Sequence, residues 1–439
     1  MKATATVRGT YLSELKHFRR VLKQGARSPD DELVFLTSEL GIPRLTLDPL
    51  FRRFVSHWND GPTLDAAYFA LEAILLASPG FTLSESAHEV IVDLLEKCYL
   101  SAEGGFWPSP FGRSASLYGT MCAVGVMKTL GRHACAERPA DDVPGCDSYY
   151  SEFVGMGFGK KIRSLIAQRC DEAIGACYDS AQWTTPCLIS TSAASSLMWN
   201  AGYGADALLE ILPKERLSSF LEQSLFTHEA PPTRWQAFRP HPDHERPGLS
   251  VTYHALRLAS RLNLELPIRK ESIRNFIQLC WTGEGFSSTV GESPSVISTY
   301  YAIACLQDED LCGPDDGFIG SVAPQLLSFL AQCRTGQCYA ISPTFYPNAA
   351  ATRYALQILS RLGRQDLFDA KFVDSELLNV FWKDGQGFTA YPVAVVQRTS
   401  SAYTGYSLLS SFVDSLTLTF APLRLVRGLL VAAWAHRRV

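Results

Sequence analysis

Residues 283–305 read "GEGFSSTVGESPSVISTYYAIAC", and this stretch falls into three pieces. The knot Gly283-Glu284-Gly285-Phe286 interrupts whatever precedes it, because glycine pairs punctuate regular structure. A connector containing Pro294 follows. Then Ser298-Thr299-Tyr300-Tyr301-Ala302 opens a run with no charge until Asp308, which reads as a helix buried on every side. The phrase recurs as "EGGFWPSPFGRSASLYGTMCAVGVMKTLG" from Glu103, "GQCYAISPTFYPNAAATRYALQILSRLG" from Gly336 and "GQGFTAYPVAVVQRTSSAYTGYSLLSSF" from Gly385. In each copy the aromatic of the glycine turn precedes a threonine by 13 to 16 residues: Thr120, Thr299, Thr352 and Thr404.

A further copy, "RPGLSVTYHALRLASRL", supplies Thr252 without a glycine knot, and weaker ones surround Ala66 and Ala193. Seven anchors result, and from Thr252 onward they lie 47, 53 and 52 residues apart. Self-similarity at such a period signals a repeat architecture. Before each knot lies an amphipathic helix such as "KESIRNFIQLC", with apolar residues three and four apart. Half-exposed helices alternating with buried ones describe two concentric layers. The expected fold is all-α, an (α/α) barrel or toroid of about six to seven helix pairs, with no strand alternation visible. The expected division is an N-terminal helical segment packing on the ring (1–58), the toroid (59–420) with a polar rim insertion at about 132–160, and a C-terminal basic and apolar helix (421–439).

Composition narrows the function. The chain has 439 residues, 46% of them hydrophobic, and a net charge of −4, which gives no basic surface for nucleic acid. Its 12 cysteines show no C-x-x-C pair and read as reduced core thiols of a cytoplasmic protein. No signal peptide and no membrane span is expected. The C-terminal "PLRLVRGLLVAAWAHRRV" suits either closure of the ring or contact with a membrane surface.

The glycine–aromatic turns (Gly104-Gly105-Phe106, Gly285-Phe286, Gly387-Phe388), the inner run S-T-Y-Y-A, and Gln278 and Gln332 before the knots together resemble the prenyltransferase/squalene-cyclase repeat over roughly residues 60–415. That resemblance implies a ring whose hollow binds isoprenoid chains. In the class II terpene cyclases of the family an Asp-x-Asp-Asp motif before the threonine supplies a strong acid. Here Ser295-Val296-Ile297-Ser298 stands in that place, and only the first repeat keeps a carboxylate, Asp65. The partial echo Tyr253-His254 has no Asp-x-Cys in register, so no zinc site is implied.

The resemblance therefore implies a terpene-cyclase-like enzyme, an isomerase or lyase acting through a non-standard acid, with Asp65, Glu292 and His254 as candidates. Its alternative is a non-catalytic toroid that binds a lipid or peptide, or serves as a partner subunit as prenyltransferase β-chains do. Arg113, Arg246 and Arg398 lie six or seven residues before anchor threonines and are expected on one rim, where guanidinium groups suit a diphosphate or carboxylate. Tyr118, Tyr253, Tyr300, Tyr301, Tyr354 and Tyr403 are expected to line the hollow, since π faces suit polyenes and carbocations. "PHPDHERP" gathers His241, Asp243, His244 and Glu245, but its prolines read as a solvated loop and no metal is assigned. No cofactor is expected, save Mg²⁺ should the substrate be a diphosphate. The partner is a hydrophobic isoprenoid-type molecule.

Overall fold

The computed structural model describes residues 62–110, 114–135, 157–204, 206–229, 234–312, 317–343, 345, 347–368, 377–383 and 385–390. The segments 1–58 and 421–439, most of the insertion at 132–160, Arg113, Arg398, Tyr403 and the anchor Thr404 lie outside the described residues.

Six buried helices form the inner layer: α1 (Leu64–Ala77), α3 (Leu117–Cys135), α5 (Leu188–Asn200), α7 (Leu249–Arg261), α9 (Val296–Leu306) and α11 (Ala349–Arg361). Each packs on the next, and α11 packs on α1, so the ring closes. The outer layer contains α2 (Glu85–Cys98), α4 (Phe158–Arg169), α6 (Lys214–Ser224), α8 (Lys270–Leu279) and α10 (Phe318–Cys333). These are the amphipathic helices the repeat required. For instance α6 buries Leu217, Phe220, Leu221 and Ser224, a stripe at 3–4 spacing, and leaves its other face to solvent.

The glycine turns do more than interrupt the chain: within the all-α frame they close short hairpins. Outer helices run into two-stranded antiparallel hairpins: β1–β2 (Tyr99–Leu100, Gly105–Phe106), β3–β4 (Cys170–Asp171, Ala176–Cys177), β5–β6 (Leu225–His228, Trp235–Phe238), β7–β8 (Arg334–Thr335, Cys338–Tyr339) and β9–β10 (Trp382–Lys383, Gly387–Phe388). Most of these strands are two residues long, too short for a period of two to show. Gly104, Gly175, Gly336 and Gly385 hold positive φ in the turns, a conformation that side chains disfavour.

The anchor threonines owe their recurrence to these hairpins. The N–H of the hairpin residue donates to the threonine Oγ1 of the following inner helix: Phe106 to Thr120 at 3.0 Å, Cys177 to Thr191 at 2.9 Å, Phe238 to Thr252 at 3.0 Å, Phe286 to Thr299 at 3.0 Å and Tyr339 to Thr352 at 2.9 Å. The same hydroxyl donates back to the carbonyl four residues earlier, for example Thr352 to Asn348 at 2.8 Å. Each clamp satisfies a buried N–H, which costs about 1–3 kcal/mol if left unpaired. The third-copy anchor is therefore Thr191, not the neighbourhood of Ala193.

Adjacent repeats are stitched by backbone. The first N–H of each inner helix donates to a carbonyl just past the next hairpin: Leu64 to Pro108, Leu117 to Asp179, Leu188 to Pro240, Leu249 to Ser288, Val296 to Ile341 and Ala349 to Ala390, all within 2.7–3.1 Å. Thr63 N–H reaches Phe388 O at 3.3 Å and so ties the last described hairpin to the first inner helix. Side chains at the position four before the anchor, Thr63, Cys187, Ser295 and Asn348, accept from helix N–H groups as N-caps.

The residues that face each other at the base of these turns differ from repeat to repeat. Tyr99–Phe106, Trp281–Phe286 and Trp382–Phe388 place aromatic rings opposite each other at 5.0–5.1 Å. At the equivalent cross-strand position in β3–β4 stand Cys170 and Cys177, joined as a disulfide. The expectation that every cysteine is a reduced core thiol is thereby corrected for this pair.

Candidate functional site: the interior of the ring

Inner helices buried against both neighbours and the outer layer should show no solvent-facing stripe, yet all but α9 do. Counting from the anchor threonine (Ala67 is its equivalent in α1), the half-buried positions fall at about +1, +5 and +8 to +9. Examples are Met121, Gly125 and Lys128 on α3, Tyr253 and Arg257 on α7, and Arg353 and Gln357 on α11. This spacing is one helix face, and it can only be the face turned to the ring's interior.

An aromatic layer occupies positions +1 and +2. Phe69 meets Tyr354 at 5.9 Å between ring centroids, Tyr354 meets Tyr300 at 4.8 Å and Tyr301 at 5.7 Å, and Tyr253 meets Tyr301 at 5.2 Å. Four neighbouring inner helices, α1, α11, α9 and α7, thus share one continuous wall. Its hydroxyls are connected: Tyr301 OH lies 3.1 Å from Tyr354 OH and 3.5 Å from His254 Nε2, while His254 Nδ1 lies 3.3 Å from Ser192 Oγ. Tyr68 continues the wall toward α3, where its ring lies over Gly125; a Cβ there would sit 2.4 Å from the ring edge.

Polar bridges span five of the six helix junctions, four of them below the aromatics toward the helix C-termini and the fifth, from Arg353, within the aromatic layer. Lys128 bonds Asn200 (2.6 Å), Arg261 bonds Ser196 (2.7 Å), Arg257 pairs with Asp308 (3.4 Å), Gln307 bonds Arg361 O (3.3 Å) and Arg353 pairs with Glu72 (3.7 Å). Arg353 is the most enclosed of these cations, with a side chain only 13% exposed. It stacks over Tyr354 at 4.9 Å, with Tyr68 and Phe69 also within 6 Å, and its Nε has no hydrogen-bond partner among the described residues. Nor has Gln357 Oε1, one turn along the same face.

Burial shapes the protonation of this interior. It pushes Tyr301 and Tyr354 upward and Tyr253 up to about 12, so all three remain neutral phenols able to donate. His254 is lowered to about 4, by burial first and then by the charges of Arg261 and Arg257. It is a neutral imidazole at physiological pH, an acceptor of protons and not a source of them.

The expected site residues separate into two groups. Tyr253, His254, Tyr300, Tyr301 and Tyr354 come together in the interior. Tyr118 stands at the start of α3 with its N–H bonded to Asp179 Oδ1. Asp65 is buried near the N-terminus of α1, close enough to the Cys98 thiol of α2 to help burial push that thiol upward. Arg246 and Glu292, expected as anion holder and acid, pair with each other at 3.5 Å on the N-terminal rim, where both are substantially exposed. In "PHPDHERP" the His244 ring nitrogen Nδ1 is engaged by the backbone of Arg246, and among the described residues no cluster of three His, Cys, Asp or Glu could hold a metal. Sequence reasoning missed Glu72, Lys128, Arg257, Arg261, Arg353 and Arg361. The signal was available as charges recurring inside otherwise apolar helices at fixed offsets from the threonine.

A closed ring of six inner helices, hairpin-clamped and lined by aromatics, defines a prenyltransferase-like α/α toroid, and the comparisons agree. The family model for the prenyltransferase alpha-alpha toroid domain matches residues 51–149 and 241–335. The solved structure of Candida albicans protein geranylgeranyltransferase-I complexed with GGPP is similar, with a TM-score of 0.52 and 13% sequence identity, over 78% of this chain and 96% of that one. No curated protein matches the sequence. No described helix is long and apolar enough to cross a membrane.

Proposed function

We propose that this toroid binds an isoprenoid chain inside its ring. The observation that carries the reading is the aromatic wall shared by four adjacent inner helices, in which Phe69 and Tyr253 are half-buried. A flexible hydrocarbon gains from burial against such a surface at about 25 cal/mol per Å². The similar solved structure holds GGPP, a prenyl diphosphate, which supports the same ligand class here.

Electrostatics support one of the two chemistries over the other. Protonating an alkene requires a strong acid facing the chain. Asp65 lies beside Cys98, Glu292 is matched by Arg246, and His254 is neutral. Arg353 also stands in the aromatic layer, where a positive guanidinium raises the energy of a nearby carbocation. We therefore favour an isoprenoid that is bound and oriented as an anionic compound over proton-initiated cyclisation. A second reading retains the cyclase: the neutral His254, joined to Tyr301, is suited to accept the proton that ends a carbocation cascade.

The test is incubation of the full chain with geranyl, farnesyl and geranylgeranyl diphosphates and with squalene, with and without Mg²⁺, reading binding by calorimetry and products by mass. We expect a prenyl diphosphate to bind and Tyr301→Ala and Tyr354→Ala each to weaken it at least tenfold. A cyclised product abolished by His254→Gln would establish the second reading. If none of the compounds binds, both readings fall.

A further inference from the structure

We propose that the interior holds a hydroxyl of its ligand between Arg353 and Gln357, so that the molecule it takes is an oxygenated isoprenoid, an alcohol whose hydroxyl lies on the hydrocarbon apart from any charged head. This rests on the isoprenoid reading and deepens it by naming a functional group of the ligand.

One turn past the aromatic layer, five residues after each anchor, the six inner helices carry Glu72, Gly125, Ser196, Arg257, Ala304 and Gln357. Gly125 and Ala304 have no polar side chain. Glu72 is taken by Arg353, Ser196 by Arg261 and Arg257 by Asp308. Gln357 is the polar side chain left over: its Oε1 is buried without a hydrogen-bond partner among the described residues. Arg353 lies one turn back on the same face of α11, and its Nε is buried without a partner as well. An unmet donor thus stands beside an unmet acceptor, an arrangement that folds avoid because each such group loses water and gains nothing in return. The flanking helices α9 and α1 offer no remedy at this level, since Ala304 is apolar and Glu72 is already engaged.

A hydroxyl answers both groups. It accepts from the Arg353 N–H and donates to the Gln357 oxygen, being donor and acceptor at once. An ether or ketone meets the donor alone. A phosphate or carboxylate is disfavoured at this point, because Glu72 already answers the Arg353 charge at 3.7 Å and a second anion would face that carboxylate. The guanidinium lies over Tyr354 at 4.9 Å, with the Tyr68 and Phe69 rings at 5.6 and 5.7 Å, so the hydroxyl is reached from a hydrocarbon packed on those rings.

The competing account is that Arg353 and Gln357 satisfy each other after a small rotation, or share a water, and binding separates the two. Farnesene, nerolidol and the methyl ether of nerolidol share one carbon skeleton and carry, in turn, no oxygen, a hydroxyl, and an acceptor alone. They are titrated, beside farnesyl diphosphate, onto the full-length protein and onto Gln357→Leu and Arg353→Lys, the second of which keeps a charge opposite Glu72. Quenching of intrinsic fluorescence reads affinity, and melting curves of the unliganded variants check the fold. We expect nerolidol to bind the wild type about tenfold more tightly than farnesene, with the ether between them. Both variants should lose most of that preference and keep their farnesene affinity, and Gln357→Leu should bring nerolidol and its ether level. Nerolidol and farnesene binding alike to the wild type, a comparison that needs no variant, overturns the hydroxyl site and leaves the isoprenoid reading standing. So does a preference for nerolidol that both folded variants keep. If neither the three terpenes nor farnesyl diphosphate binds, the isoprenoid reading falls and the hydroxyl site falls with it.

Discussion

A single hydroxyl explains why threonine recurs at each anchor. Thr299 Oγ1 accepts from the Phe286 N–H while its side chain is fully enclosed, so valine would fill the same volume and leave that N–H unpaired. Thr299→Val should lower stability by about 1–3 kcal/mol, and Thr299→Ser should recover most of the loss in denaturant unfolding. His254 makes a second prediction at this scale. Its pKa of about 4 in the folded chain lies below the ordinary value of 6.5. As pH falls below 6.5 the unfolded chain takes up a proton that the folded one refuses, so stability is full above 6.5, declines toward pH 4 and levels there. The total is a few kcal/mol, about 1.4 for each pH unit of the gap. Compared with the wild type, His254→Gln should flatten this stretch of the stability–pH curve; an unchanged slope would show that His254 is not held neutral.

Hairpins and inner helices behave as separable parts. The Cys170–Cys177 disulfide occupies the place of an aromatic pair on one hairpin, so Cys170→Tyr with Cys177→Phe should fold and lose its response to reductant. The wild type should lose at most about 2 kcal/mol on reduction, given so short a closed loop. On α3, Gly125→Leu would drive a side chain into Tyr68. It should cost about 1–3 kcal/mol as overpacking and alter the wall; unchanged melting would mean that Tyr68 yields freely. The outer helices and the threonine phrase were legible because both follow from period and from local punctuation. The hairpins were not, being two residues per strand. Thr191 escaped notice because Cys177, not an aromatic, marks its turn. Arg257, Arg353 and Arg361 escaped because period alone does not say which side of a doubly buried helix faces the interior.

At the scale of the molecule, ring closure is the dominant constraint. α11 packs on α1, Thr63 bonds Phe388, and Phe69 meets Tyr354 across the seam. An open stack of repeats can fray from its ends, with stability summed over neighbours, whereas this ring has no terminal inner helix among the described residues. Phe69→Ala, which opens the seam, should therefore lower protection from hydrogen exchange on α5 and α7, opposite the seam, as well as on α1 and α11. A loss confined to α1 and α11 would show that the seam is an ordinary junction.

The threonine clamp has one further consequence. By fixing the rotation of five of the six inner helices against a hairpin, it gives their interior positions a permanent address, independent of what residue occupies them. Such a frame resembles a barrel of keyed staves: the inner surface of any keyed stave can be rewritten while its edges and its key stay the same. Carboxylates can vanish from Ser295 to Ser298, and arginines can accumulate on α7 and α11, without the frame registering either change. Ligand preference in a ring of this kind is free to diverge one stave at a time.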